Sequence, residues 1–167
     1  MKQGFVKVAS ATPRIRVADP VYNAQVICEQ AKEAAEHGAK IVVFPELCIT
    51  GYTCNDLFLQ ELLLEKAKEA LLTIAEETGQ LETLFLVGLP VDKDGRLYNV
   101  AAVLYRGRIL GMIPKKNIPM YAEFYEGRHF TPGEETVTEY RLGKQVIPFG
   151  SNLLFRCEEL PELILGC

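Results

Sequence analysis

The sequence predicts an α/β fold built around a mixed sheet. Two short apolar runs, residues 41–44 and 84–91, alternate with two segments in which apolar residues recur every three or four positions. Such alternation of strands and helices is typical of layered α/β domains. Farther along, apolar runs at 97–105 and 108–113 flank Arg106-Gly107, which favours a hairpin, so part of the sheet is expected to be antiparallel. Of the 167 residues 49% are hydrophobic, which is enough for one domain with a substantial core.

The chain begins with a predicted strand and a predicted helix. Residues 1–10 alternate in polarity, and their apolar run is too short for a signal sequence or a membrane span, so a cytoplasmic protein with no membrane partner is expected. Asp19-Pro20 has the form of a helix N-cap followed by proline at the first helical position, and the helical pattern ends at His37-Gly38. The apolar stripe of this helix comprises Val21, Ala24, Cys28, Ala31 and Ala35.

Residues 40–55 are the stretch around which the rest of the chain is expected to be organised. Pro45 ends the strand because it has no N–H to donate, and Glu46 follows at once. Open α/β sheets place their sites at the carboxyl ends of strands, although a single glutamate there is more often a solvated loop residue. A second helix is predicted from Asp56, as its N-cap, to about Thr78, with Gly79 as its stop.

The last third of the chain is less regular. Residues 114–136 combine prolines and glycines with aromatic residues, as expected of a loop that covers or lines a site. Residues 144–148 and 153–156 are predicted to form a second hairpin, and residues 163–167 to begin another strand. Because the chain stops within that apolar run, residues 1–167 are expected to be the N-terminal part of a single domain.

Charge and cysteine content argue against several classes of protein. The net charge of -4 and the pI of about 5.3 offer no basic surface to nucleic acid. The two histidines stand in no metal-binding motif, so no metal site is predicted. The five cysteines form no C-x-x-C pair and are expected to be reduced: Cys28, Cys48, Cys54, Cys157 and Cys167.

Two predicted strands end in the same way. Pro45 is followed by Glu46 after one strand, and Pro114 is followed by Lys115 after another. Either charged residue alone is typical of a solvated loop. An acidic and a basic residue in matching positions after two strands together indicate a site.

These segments resemble motifs of the nitrilase (carbon-nitrogen hydrolase) superfamily. Phe44-Pro45-Glu46 followed by Thr50-Gly51-Tyr52 resembles its glutamate motif, and Pro114-Lys115 followed by Pro119 resembles its lysine motif. Two longer segments are more characteristic of one branch, the N-terminal glutaminase domains of glutamine-dependent NAD(+) synthetases. They are Gly-Tyr-Thr-Cys-Asn-Asp-Leu-Phe at 51–58 and Pro-Met-Tyr-Ala-Glu-Phe-Tyr-Glu at 119–126. The resemblance runs over the whole chain.

The resemblance implies an αββα sandwich with mixed sheets, incomplete at the C-terminus, and a Glu-Lys-Cys triad. Glu46 would be the general base and Lys115 would stabilise the oxyanion while a cysteine attacks the side-chain amide of glutamine. Tyr52 and Tyr121 match positions that line the glutamine pocket, and Glu126 matches a carboxylate that supports the lysine. These residue types suit the chemistry, because an ammonium favours a thiolate and a carboxylate can accept the thiol proton.

The resemblance does not supply the nucleophile. In the family the cysteine follows a strand that ends Gly-x-x-Ile-Cys, whereas here Gly166 is followed directly by Cys167. Cys167 is therefore expected to occupy an ordinary strand position, and the chain is expected to be inactive alone. Cys48 and Cys54 match no nucleophile position and are expected to be core or loop thiols.

The resemblance also implies partners. In the full reaction, ammonia from glutamine passes to a C-terminal NAD synthetase domain that converts deamido-NAD to NAD with ATP. Residues 1–167 contain no phosphate-binding loop, so no cofactor is expected in this domain, and ATP and magnesium are expected only with the synthetase domain. A homo-oligomer is also expected.

Two other functions remain open from the sequence. A stand-alone nitrilase-type amidase would act on another small amide, and a synthetase domain downstream would exclude it. A non-catalytic assembly module would have kept the fold and lost its nucleophile. The residues encoded after Cys167 discriminate here, because an Ile-Cys-Glu-Asp-like continuation favours the enzyme.

Overall fold

The computed structural model describes residues 5–167, in which the chain forms two α-helices and nine strands. The helices are α1 Pro20–Glu36 and α2 Glu61–Glu77, with short 3₁₀ segments at Tyr52–Leu59 and Glu126–Arg128. The strands are β1 Val8–Ser10, β2 Ile41–Val43, β3 Leu84–Lys93, β4 Arg96–Tyr105, β5 Arg108–Pro114, β6 Thr138–Leu142, β7 Gln145–Phe149, β8 Leu154–Arg156 and β9 Ile164–Gly166. The predicted first strand is confirmed at β1, and residues 1–4 of that prediction lie outside the described residues.

Seven strands form one mixed sheet in the order β1-β2-β3-β4-β5-β7-β6. Strands β1, β2 and β3 are parallel, β4 is antiparallel to both β3 and β5, and β5 is parallel to β7. Strands β2, β3 and β5 therefore point the same way. The carboxyl ends of these three strands therefore lie at the same end of the sheet, and β4 starts at that end.

The two faces of this sheet are covered by different layers. Helices α1 and α2 bury their apolar stripes against one face, in a core that includes Ile27, Leu71 and Phe85. Strands β8 and β9 form a separate two-stranded sheet whose Phe155 and Leu165 pack against Leu86 and its neighbours on the other face. The helix–sheet–sheet order corresponds to three of the four layers of an αββα sandwich, and the predicted α/β fold class with a mixed sheet is confirmed.

Helix α1 begins and ends as its sequence predicts. The Asp19 carboxylate accepts a hydrogen bond from the Tyr22 N–H at 3.1 Å, and Pro20 occupies the first turn. His37 caps the C-terminus, and Gly38 follows with a φ of 81°. One member of the predicted stripe is wrong, because Val21 is 58% exposed.

Helix α2 begins later than its sequence predicts. The predicted N-cap Asp56 lies inside the 3₁₀ segment Tyr52–Leu59, and Gln60 precedes the helix. The carboxylate of Asp56 is instead used in an ion pair with Arg128, and that contact across 72 positions is invisible in local sequence. Leu62 is exposed on the outer face of the helix, while the buried face comprises Leu63, Ala67, Ala70, Leu71, Ile74 and Ala75.

The second hairpin is paired differently from the prediction. Strand β7 pairs with β6 rather than with β8, through a turn in which Gly143 has a φ of 57°. Strand β8 pairs with β9, which confirms the last predicted strand. Strand β6 was not predicted, although Tyr140 and Leu142 are buried between exposed residues in the alternation of a one-sided strand.

Within residues 5–167, no helix combines the length and the apolar character that crossing a membrane requires.

Candidate active site

Glu46 is held in a tight turn directly after β2. The Phe44 N–H donates to the Leu86 carbonyl at 2.9 Å, which continues the sheet up to Pro45. Leu47 follows with a φ of 52°, and its carbonyl accepts the N–H groups of Thr50 and Gly51 at 3.1 and 2.7 Å. A leucine rarely adopts a positive φ, and its side chain is fully buried here, so the surrounding structure fixes this turn.

Gly88 allows this turn to approach the sheet. A Cβ atom at Gly88 would lie 2.7 Å from the Pro45 carbonyl oxygen and closer still to the Leu47 nitrogen. The Gly88 carbonyl in turn accepts the Ile49 N–H at 3.1 Å. The backbone on both sides of Glu46 thus packs directly against β3, and this close contact sets the position of the carboxylate.

Lys115 is placed by the corresponding end of β5. Its N–H donates to the Asn99 carbonyl at 2.8 Å, and its own carbonyl accepts the Gly133 N–H at 2.8 Å. The segment after β5 therefore lies between β4 and the loop that returns past Gly133. Because β2 and β5 point the same way, the Lys115 and Glu46 side chains lie at the same end of the sheet.

The structure brings four of the five predicted site residues together. The Lys115 ammonium lies 2.7 Å from Glu46 Oε1. It also donates to both oxygens of Glu126, at 3.0 and 2.9 Å. The Tyr52 hydroxyl donates to Glu126 Oε1 at 2.9 Å. One lysine is thus shared by two carboxylates, and one of those carboxylates is also bound by a tyrosine.

The two carboxylates have different environments. The Glu126 side chain is 5% exposed, whereas that of Glu46 is 41% exposed. A buried carboxylate is stable only when paired and hydrogen-bonded, and Glu126 has both Lys115 and Tyr52. Glu126 is therefore suited to hold the lysine, whereas the Glu46 carboxylate is accessible from solvent.

These contacts change the protonation of the lysine and the tyrosine. Partial burial opposes the charged ammonium, but the hydrogen bonds to Glu46 and Glu126 outweigh it and raise the pKa of Lys115. Lys115 is accordingly a cation throughout the neutral range. Partial burial, the hydrogen bond to Glu126 and the nearby carboxylate charges raise the pKa of Tyr52 to about 12, so its hydroxyl remains a donor.

Tyr121 is not part of this cluster. Its side chain is 67% exposed, and its ring packs edge-on against Phe124 with the ring centroids 5.5 Å apart. Within residues 5–167 its hydroxyl makes no hydrogen bond. A role in the pocket remains a prediction for Tyr121.

Sequence reasoning missed Asn99, which contacts the cluster from β4. Its side-chain amide donates a hydrogen bond to Glu46 Oε1. Asn99 is buried, and the available sequence signal was a single polar residue in an otherwise apolar run, Leu-Tyr-Asn-Val-Ala-Ala-Val.

Residues around the cluster form a second, smaller core. It joins the segment after β2 to the segment after β5, and its buried members are Leu47, Cys54, Phe58, Leu63, Leu97 and Phe130. The Phe58 and Phe130 rings meet edge to face with their centroids 5.0 Å apart. On the surface above, Arg128 forms a bidentate ion pair with Asp56, both distances being 3.1 Å. These contacts hold the segment carrying Tyr52 against the segment carrying Glu126.

Within residues 5–167, none of the five thiols is hydrogen-bonded to the cluster. Cys48 and Cys54 are buried and directed at backbone carbonyls, of Gly88 at 3.7 Å and of Thr50 at 3.1 Å. Burial raises the pKa of the Cys48 thiol to about 12, which disfavours the thiolate. None of the hydrogen bonds made by Glu46, Lys115 or Glu126 within residues 5–167 involves a cysteine.

The arrangement supplies a carboxylate and an ammonium side by side, the groups that proton transfer and oxyanion stabilisation require. Glu46 offers an accessible carboxylate for proton transfer, and Lys115 offers a fixed positive charge beside it. No group of three or more histidine, cysteine, aspartate or glutamate side chains within residues 5–167 has the geometry of a metal site.

Comparison with known proteins gives matches over the whole of this arrangement. The family model described as "Carbon-nitrogen hydrolase" matches residues 7–153. A glutamine-dependent NAD(+) synthetase of Mycobacterium tuberculosis is 38% identical over 164 residues, which are 98% of this chain and 24% of that protein. The chain thus spans about a quarter of the length of the curated relatives it matches.

Two solved structures show the same architecture. A glutamine-dependent NAD(+) synthetase from Cytophaga hutchinsonii matches with a TM-score of 0.86 and 28% identity, over 92% of this chain and 26% of that one. An amidase from Nesterenkonia sp. matches with a TM-score of 0.64 and 24% identity, over 86% of this chain and 54% of that one. The second likeness is one of fold alone.

Proposed function

This chain belongs to the carbon-nitrogen hydrolase family, and on that premise we propose that it carries the general base and the oxyanion-stabilising lysine of a glutamine-hydrolysing site. Glu46 is the base and Lys115 is the lysine. The observation that carries the proposal is the 2.7 Å contact between the Lys115 ammonium and Glu46 Oε1, with Glu126 bound to the same ammonium at 2.9 Å.

The reaction assigned to this site is cysteine-dependent amide hydrolysis. A thiol loses its proton to Glu46 as its sulfur bonds to the amide carbon, and the carbonyl oxygen becomes an oxyanion beside Lys115. The C–N bond then breaks, Glu46 returns the proton to the leaving nitrogen, and ammonia departs from a thioester. Water attacks the thioester with Glu46 again as base, which releases glutamate and restores the thiol.

The thiol for this reaction is proposed not to be one of the five described cysteines. Cys48 and Cys54 are buried and hydrogen-bonded to backbone carbonyls, and no thiol is hydrogen-bonded to Glu46 or Lys115 within residues 5–167. The chain by itself is therefore proposed to be inactive. It contributes the base, the lysine and its supporting groups.

Glutamine is proposed as the substrate because the curated relatives are named glutamine-dependent NAD(+) synthetases. In the proposed whole enzyme, the released ammonia serves a synthetase domain that makes NAD from deamido-NAD, and ATP and magnesium belong to that domain. Residues 1–167 form part of the glutaminase domain. Cytoplasmic location and a homo-oligomer remain part of the same proposal.

The test is ammonia release by the protein expressed with whatever its gene encodes after Cys167. Glutamine and a series of short aliphatic amides are supplied in parallel, with Glu46→Gln as the inactive control. Ammonia released from glutamine, and lost in the control, supports the proposal. Hydrolysis of aliphatic amides without glutamine would assign an amidase instead, and hydrolysis of neither would overturn the proposed activity.

A further inference from the structure

Asn99 contacts both members of the proposed catalytic pair. Its side-chain amide donates to Glu46 Oε1, and its backbone carbonyl accepts the Lys115 N–H at 2.8 Å. It lies near the start of β4, opposite Pro90 of β3 and beside Val100, which pairs with Pro114 of β5. One residue of the central strand therefore contacts both charged residues.

The contact with Glu46 accounts for a buried polar side chain. Asn99 is 3% exposed, and an amide in such a place is costly unless it is hydrogen-bonded. The bond to Glu46 is the one side-chain hydrogen bond of Asn99 within residues 5–167. Asn23 offers a contrast, since its amide donates to two backbone carbonyls, of Arg16 at 2.7 Å and of Ile49 at 2.9 Å. Asn23 supports the backbone, whereas the Asn99 amide binds a carboxylate.

The contact also distinguishes the two oxygens of Glu46. The Asn99 amide and the Lys115 ammonium both donate to Oε1, and Oε2 has no hydrogen bond within residues 5–167. A carboxylate with one oxygen held by two donors cannot rotate about its terminal bond without losing both. Oε2 is thereby left free in a fixed orientation.

We propose that Asn99 is a positioning residue that holds Glu46 Oε1 against Lys115 and presents Oε2 for proton transfer. The catalytic part of this inference rests on the proposed function, and the positional part does not. Asn99 acts through Glu46 and does not itself contact the reacting atoms.

The positional part is tested by titrating Lys115 by NMR in this chain. The titratable groups that contact its ammonium within residues 5–167 are Glu46 and Glu126, and the Tyr52 hydroxyl binds Glu126. The hydrogen bond to Glu46 is a leading cause of the raised pKa of Lys115. We expect Asn99→Ala to release Glu46 and lower the pKa of Lys115, in the direction of the Glu46→Gln variant.

Thr83→Val is the matched control. Like Asn99, Thr83 is buried, and its hydroxyl donates to the backbone carbonyl of Ala39 at 2.8 Å. This bond lies at the amino ends of β2 and β3, away from the ends that carry Glu46 and Lys115. This variant should leave the pKa of Lys115 at its wild-type value. An unchanged pKa in Asn99→Ala, beside a lowered one in Glu46→Gln, would overturn the inference.

A second measurement avoids any folding defect of the Asn99 variant. In wild type, the side-chain amide protons of Asn99 are expected downfield of those of Asn23 because they bind a carboxylate. Glu46→Gln should move the Asn99 amide resonance and leave that of Asn23 in place. An Asn99 resonance that ignores this substitution would contradict the contact.

The catalytic part is tested in the protein that releases ammonia. Asn99→Ala should lower kcat about 100-fold with little change in KM, since it misplaces the base without removing a substrate contact. Equal kcat values would refute the catalytic part. If wild type releases no ammonia, the proposed function fails, and the two NMR measurements still decide whether Asn99 positions Glu46.

Discussion

The close approach of the Glu46 turn to β3 makes Gly88→Ala an informative perturbation. The new methyl carbon would lie 2.7 Å from the Pro45 carbonyl oxygen and nearer still to the Leu47 nitrogen. Both atoms belong to the backbone of a turn fixed by hydrogen bonds from Thr50 and Gly51, so neither can move alone. Overpacking of this kind costs about 1–3 kcal/mol. We expect that loss in the free energy of unfolding, together with displacement of Glu46.

Gly111→Ala provides the control on another strand of the same sheet. Its methyl carbon would lie 2.8 and 2.9 Å from the ends of the Phe155 and Leu153 side chains, which can rotate away. Urea unfolding should therefore show a smaller loss for Gly111→Ala than for Gly88→Ala. In NMR, only Gly88→Ala should lower the pKa of Lys115. Equal stability of wild type and Gly88→Ala, with an unmoved Lys115, would refute the view that this contact places the carboxylate.

Three further perturbations follow from the same cluster and from the buried thiols. Glu126→Gln should lower the raised pKa of Lys115 and reduce the pKa of Tyr52 from about 12, because both groups bind this carboxylate. NMR titration of each side chain measures the two pKa values, and unchanged values would contradict the shared contact. Burial and the bond to Glu126 raise the pKa of Tyr52 from 10.0 to about 12, so its contribution to stability is complete below pH 10 and is lost as the pH rises toward 12. Urea unfolding should accordingly show a steeper loss across that range for wild type than for Tyr52→Phe, and parallel curves would argue against the hydrogen bond. Iodoacetamide at neutral pH should modify the exposed Cys167 before the buried Cys28 and Cys48. Burial raises the pKa of Cys28 to about 11 and that of Cys48 to about 12, which disfavours the reactive thiolate. Mass mapping that found the reverse order of modification would contradict the described burial.

The sequence supported the meeting of Glu46 and Lys115 because local signals place both. A proline stops each strand, and the charged residue follows at the next position. The helix-containing connection from β2 to β3 makes those two strands parallel, and two hairpin turns return β5 to the same direction. The carboxyl ends of β2 and β5 therefore lie at the same end of the sheet.

Other features depend on contacts that local sequence does not encode. Asp56 is a residue type that N-caps favour, but its carboxylate binds Arg128 instead, and α2 begins at Glu61. Asn99 is a polar residue in an apolar run, and its partner Glu46 lies 53 positions away. The predicted strand pairing after residue 137 was wrong for a similar reason. The prediction placed the hairpin turn at residues 149–152, whereas the turn that joins paired strands lies at Gly143, which has a positive φ.

The central claim is that Glu46 and Lys115 drive attack of a thiol on an amide carbon. Its most direct test is the intact mass of the ammonia-releasing protein, quenched during turnover with glutamine. Wild type should carry a glutamyl thioester, and Glu46→Gln and Lys115→Ala should each carry none while remaining folded. Normal accumulation of the thioester in either variant would contradict the role assigned to that residue.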